Sequence, residues 1–175
     1  FPEQITAHDG LAATVLKAHP SSIGTVRLTG THFQDKLDIQ KQRFQAAGAA
    51  QDIIDLRNGI KAARAVVASA NIAKHIKSED LPGAAVQTDA QLDDDIYKRS
   101  FGHHACCTNP MGTGFIADAN AVLDGDFRVR GVANLRVVDA SAWPRVPGFF
   151  LATQTYMLSE KAADVIIKAA KEVAA

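Results

Sequence analysis

The chain has 175 residues, 47% of them hydrophobic, enough to bury one core or one and a half. Nineteen Lys and Arg balance nineteen Asp and Glu, so charge gives no case for binding nucleic acid or an acidic membrane surface. No apolar run approaches the ~20 residues that a bilayer span needs, and no membrane span is expected.

The opening Phe1-Pro2-Glu3-Gln4 has neither an initiator Met nor a basic segment followed by an apolar one. A start at Phe1 suggests a processed or cut chain. Leu11 to Lys17 has strand or short-helix character, and His19-Pro20-Ser21-Ser22 reads as a turn, because proline holds its predecessor extended. Ile23 to Thr29 alternates, with Ile23, Thr25, Arg27 and Thr29 opposite Val26 and Leu28, which predicts a strand.

Gln51 to Ile76 is the first clear helix. Ile53, Leu56, Ile60, Ala63, Val67 and Ala70 recur at spacings of three or four and form one apolar stripe. Asp52, Asp55, Arg57, Lys61 and Arg64 fall on the other face, expected to be solvated. Ser78 to Gln87 is polar and reads as loop. Asp89 to Ser100 predicts a short helix with Thr88 or Asp89 as its N-cap.

Gly102-His103-His104-Ala105-Cys106-Cys107-Thr108-Asn109-Pro110-Met111-Gly112 follows, with two His and two Cys within five residues. Zinc requires converging ligands, whereas consecutive residues of a strand point to opposite faces, so neither the two His nor the two Cys are set to ligate together. Adjacent cysteines also rarely bridge, because the small ring strains the peptide between them. A Cys nucleophile needs a base and an electropositive setting that nothing in the spacing demands. The more economical reading is one His acting as general base, its ordinary pKa suited to taking up and releasing a proton. The small neighbours Ala105, Cys106 and Thr108 would let a large flat ligand approach the backbone.

Phe127-Arg128-Val129 and Leu135-Arg136-Val137-Val138 predict two short strands, joined by a turn over 131–134. Asp124 and Asp126 read as turn residues. Trp143 to Gly148 is a rigid connection, with Trp143 a core or interface anchor. Thr153 to Ala174 is the last helix; Tyr156, Met157, Ala163, Val165, Ile166, Ala169 and Val173 are its expected core side. The mixture is α+β, with too few strands to close a sheet around this much helix.

The order of several segments carries a family resemblance. These are His104 followed by Met111-Gly112, then Val122-Leu123-Asp124, Phe127 to Val132, Asn134 to Ser141, Pro144, and Thr155 to Asp164. Together they resemble the C-terminal part of the glucose–methanol–choline oxidoreductases, which are FAD-dependent. Ser22-Ile23-Gly24-Thr25-Val26 and Asn58 to Arg64 are similar to earlier elements of the same family, so the likeness spans about residues 16 to 174.

The resemblance implies an antiparallel substrate-domain sheet with helices, plus the last strand and helix of the FAD-binding domain. Residues 1–110 would be part of the substrate-binding domain and 111–175 the C-terminal part of the FAD-binding and catalytic region. The family's phosphate-binding glycine motif is absent, which implies that an N-terminal FAD-binding portion of the same protein is the partner of this chain. His104, seven positions before Met111, corresponds to the catalytic base that takes the proton of a sugar, aryl or aliphatic alcohol while hydride leaves for flavin N5. His103 would point away. Asp139 and Ala140 would touch FAD, and Phe150 and Leu151 would lie beside the flavin ring. Where the family usually places a second His or Asn, this chain has Phe150, with Gln154 or Asn109 as candidate substitutes. The alternatives are a flavin-containing lyase of the same family, or a non-catalytic chain that keeps the fold.

Overall fold

The computed structural model describes residues 10–113 and 118–174; the opening segment Phe1 to Gln4 lies outside them. The elements are α+β. In chain order they are β1 (Thr25–Arg27), β2 (Asp38–Gln40), α1 (Ala49–Val67), α2 (Ala70–Ala73), α3 (Asp89–Arg99), a 3₁₀ turn (Ala140–Ala142) and α4 (Ala152–Ala174). They belong to two compact units. The described residues up to Lys17 form one with Ala47–Ser100. Ala18–Ala46 and the described part of Phe101–Ala175 form the other. Position 110, the expected end of the substrate-binding portion, lies inside the second unit.

In the first unit α1 packs on α3, burying Ala49, Ile53, Leu92 and Ile96. The Thr88 hydroxyl accepts the Gln91 amide while the Gln91 side chain accepts the Thr88 amide, a reciprocal cap that sets the start of α3. The expected single helix 51–76 is instead two, because Ser69 takes an extended backbone and restarts the chain as α2. The charged face of α1 is not simply solvated. Asp52 is buried, 1% exposed, with the Lys17 ammonium 3.6 Å away. Arg57 grips Asp93 through two bonds of 2.7 and 3.0 Å, Lys61 reaches Asp89, and Arg64 forks onto Glu79. Sequence spacing shows only that these residues avoid the apolar stripe; the partners arrive from Lys17, from α3 and from the loop before it. Residues 11–17 form no regular element. Val15 lies so close to Gly59 that a Cβ there would fall 2.4 Å from Val15 Cγ1.

In the second unit the strand foreseen at 23–29 shortens to β1, and its antiparallel partner β2 was not foreseen; Val26 pairs with Ile39. Gly24 admits the Gln40 carbonyl, which would stand 2.4 Å from an added Cβ. The two strands expected at 127–129 and 135–138 are reduced to isolated bridges, Leu123 with Val129 and Arg128 with Arg136. Phe127, Gly131 and Asn134 have φ of 64°, 77° and 61°, and these left-handed residues break the pleat before a ladder can extend. Phe127 is nevertheless fully buried, in a core with Leu123, Ala142, Leu158 and Ala162, and Trp143 packs against that core as expected.

Helix α4 corrects its sequence reading. Its buried line is Leu158 and Ala162, one turn apart, whereas Tyr156, Met157, Ile166 and Val173 are exposed. This unit's core meets only a narrow strip of the helix, so spacing alone overstated the buried face. Among the described residues no helix is long and apolar enough to cross a membrane.

Candidate active site around His104

The histidine segment is held by its downstream half. Alternate backbone amides of the extended stretch donate to consecutive carbonyls of the 3₁₀ turn: Cys107 to Ala140 at 3.2 Å, Asn109 to Ser141 at 3.0 Å and Met111 to Ala142 at 2.9 Å. Ala142 is fully buried in the core, so this ladder ties the segment to the rigid part of the unit. Gly112 extends the attachment. A Cβ there would lie 2.7 Å from that of Ala121, which is itself fully buried, and only a glycine lets the two backbones come this close.

Upstream of the ladder the side chains form a row of rings. Phe101 and His103 have centroids 5.6 Å apart, His103 and His104 3.9 Å, and His104 and Phe150 5.5 Å with the rings nearly perpendicular. His104 is half-buried, while His103 and Phe150 are exposed. No hydrogen bond to a described residue engages either ring nitrogen of His104, so both remain available to a ligand.

Two expectations for this segment fail. His103 does not point away but lies against His104. Cys106 and Cys107, expected to stay apart, are joined as a vicinal disulfide. The first expectation assumed the alternation of a strand, the second that the small ring would strain the peptide too far. Residues 101–107 form no strand, and Cys107 has a φ of 73°, where that alternation ends.

The other expected site residues are distributed as follows. Asp139 precedes the 3₁₀ turn and caps it: its Oδ1 accepts the Ser141 amide at 2.8 Å and also the Ser141 hydroxyl. Its Oδ2 accepts no hydrogen bond from a described residue, and the residue is exposed. Ala140 is half-buried, and its carbonyl receives the Cys107 amide, so the turn and the histidine segment adjoin. Phe150 is 66% exposed and reaches His104, whereas the next residue, Leu151, is 6% exposed with its side chain turned inward. The Leu151 carbonyl accepts both the amide and the hydroxyl of Thr155, at 2.9 and 2.7 Å.

Of the substitutes weighed for a second polar group, Asn109 is committed elsewhere, its Nδ2 donating to Ser141 Oγ at 3.0 Å. Gln154 has a buried Oε1 without a hydrogen-bond partner among the described residues. Sequence reasoning missed the side-chain chain Asn109–Ser141–Asp139. An Asp two residues before a Ser is a recognisable turn signature and could have exposed half of it; nothing in the sequence pairs Ser141 with Asn109, 32 residues earlier.

An oxidised, planar cofactor needs an accessible backbone, a polar rim and a base beside its reactive edge. The 139–140 turn has a small side chain at Ala140 and a carboxylate oxygen that no described residue donates to. It stands next to the segment that carries His104, whose ring nitrogens no described residue engages. These features fit a flavin.

Comparison with known proteins gives the family. A family model described as GMC oxidoreductase matches residues 20–159. The chain is 36% identical over 149 residues to an oxygen-dependent choline dehydrogenase of Vibrio vulnificus, covering 85% of this chain and 26% of that protein. It is 34% identical over 164 residues to a choline oxidase of Arthrobacter globiformis, covering 92% and 29%. Among solved structures, a pyridoxine 4-oxidase from Mesorbium loti superposes with a TM-score of 0.72 at 32% identity, covering 83% of this chain and 27% of that one. A fungal aryl-alcohol oxidase gives 0.69 at 31%, covering 86% and 24%. The chain thus spans 26% and 29% of the length of the two curated relatives.

Proposed function

Because the chain belongs to the GMC oxidoreductase family, we propose that it is the C-terminal portion of an FAD-dependent enzyme that oxidises a primary or secondary alcohol, with His104 as general base. FAD, when bound, supplies the acceptor for the hydride at flavin N5. His104 takes the hydroxyl proton, which makes the α-hydrogen a better hydride donor and leaves the carbonyl product. Asp139 and Ala140 contact the cofactor at the turn beside the histidine segment, and Phe150, with Leu151 behind it, lines the face next to His104. The observation that carries this reading is the position of His104. It is a half-buried imidazole whose nitrogens are engaged by no described residue, on a segment bonded through Cys107 to Ala140.

The N-terminal FAD-binding portion of the same protein is the partner this reading requires. The length of the relatives supports it, and so do the exposed apolar residues of the second unit, Phe149, Phe150, Tyr156 and Met157 among them. Residues 1–110 then serve the substrate-binding part and 111–175 the FAD-binding and catalytic part. His104→Ala in the full-length protein is expected to slow flavin reduction by alcohol by roughly 10²- to 10⁴-fold while the flavin stays bound. Unchanged reduction in anaerobic stopped-flow would remove His104 from the role.

One observation favours a second reading. Phe150 is the ring that meets His104, and a phenyl group neither donates nor accepts a proton there. A lyase of the same family would bind flavin without substrate-dependent bleaching of its absorbance, and a non-catalytic chain would bind no flavin.

A further inference from the structure

We propose that Ser141 is a positioning residue for the base, the centre of an Asn109–Ser141–Asp139 chain that holds the His104 segment in register with the 139–142 turn. The proposal rests on the reading of His104 as general base. The Ser141 hydroxyl has a single proton, which it donates to Asp139 Oδ1, and its oxygen accepts Asn109 Nδ2 at 3.0 Å. The same Asp139 oxygen accepts the Ser141 amide at 2.8 Å. One hydroxyl therefore joins the carboxylate of the turn to a carboxamide in the middle of the histidine segment.

The position of this chain matters for His104. The backbone ladder begins at Cys107, three residues beyond the imidazole, and continues through Asn109 and Met111. Asn109 is its central rung and the one reinforced by a side chain. Upstream, the contacts of His104 with described residues are ring contacts with His103 and Phe150, which restrain tilt more than translation. Register along the segment is left to the ladder and its side-chain brace. Removing the hydroxyl leaves Asn109 Nδ2 without its acceptor and Asp139 Oδ1 with one donor in place of two. The segment can then shift against the turn without unfolding, because the backbone bonds and the core residue Ala142 remain.

The test uses the full-length flavoprotein and follows anaerobic flavin reduction by a substrate alcohol. Ser141→Ala is expected to lower the limiting rate about tenfold with flavin content and the alcohol's apparent Kd unchanged, since a small misplacement of a reacting group costs rate rather than binding. Ser141→Thr, which keeps the hydroxyl, is expected to restore most of the rate. Asn109→Leu should reproduce the loss, and the double variant should lose no more than either single one, because both break the same chain. The proposal is overturned by an unchanged limiting rate in Ser141→Ala, by a loss that tracks flavin content, by a Thr variant as slow as Ala, or by additive losses. If Ser141→Thr does not fold, the Asn109→Leu comparison decides alone. His104→Ala separates the two layers. If it leaves reduction unchanged, the base assignment fails. If it abolishes reduction while Ser141→Ala does nothing, only the positioning role fails.

Discussion

At the scale of single residues, this site is set by what its side chains lack as much as by what they carry. His104 has rings for neighbours and no described hydrogen-bond partner, as its proposed role of base requires. Phe150 supplies an edge and no lone pair where a second polar group was expected. Gly112 lacks a Cβ, and that absence lets the chain pass Ala121. Gly112→Ala would bring a methyl carbon to 2.6 Å from Asp118 Oδ2 and 2.7 Å from the Cβ of the fully buried Ala121. Overpacking of this kind costs about 1–3 kcal/mol. Urea unfolding is expected to show a loss in that range, and a change within about 0.5 kcal/mol, typical of surface substitutions, would mean that Ala121 moves freely. Legibility differs from residue to residue. The spacing from His104 to Met111 can be counted along the chain. The stacking of His103 on His104 could not be read, because it depends on the backbone leaving strand geometry by Cys107.

At the scale of elements, ends and interruptions were easier to read than partners. The Thr88 cap and the 89–99 helix follow from local chemistry, a hydroxyl three residues before a carboxamide. The partners of α1 do not. Lys61 hydrogen-bonds to Asp89 at 2.5 Å, and this bond, before the nearby Arg57 charge, holds the Asp89 carboxyl below its ordinary value of 3.8. Asp55 is lowered likewise, first by its bond to Lys17 and then by Gln51. A carboxyl whose pKa is depressed by folding adds stability above the ordinary carboxylate pKa, and that contribution is lost as pH falls through the lowered value. Both groups are exposed, so the stabilisation is small. NMR titration of the folded protein is expected to show Asp89 ionising below 3.8 and moving upward in Lys61→Met; no movement would make the contact incidental. In the second unit, the expected 127–129 and 135–138 strands appear only as isolated bridges. Their regularity was misread, because the left-handed residues Phe127 and Asn134 carry no sequence mark as clear as Gly131.

At the scale of the whole molecule, α4 exposes Tyr156, Met157, Ile166 and Val173, apolar side chains that periodicity assigns to a core. The assignment to the GMC oxidoreductases, together with the fraction of each relative that the chain spans, gives the proposed explanation that the rest of the protein completes this surface. The 175-residue chain purified alone is therefore expected to show no visible flavin absorbance, and the longer protein to show it. Stoichiometric FAD on the isolated chain would refute the need for an N-terminal portion. By itself the sequence determined the family, the mixed α+β class and the identity of the proposed base, because these depend on ordered motifs, local periodicity and counting along the chain. Only the tertiary structure decided that Phe150 meets His104, that Asp52 is buried, and that Ser141 braces Asn109. Each of these joins side chains brought together by packing, and neither local spacing nor residue type records which distant segment will arrive.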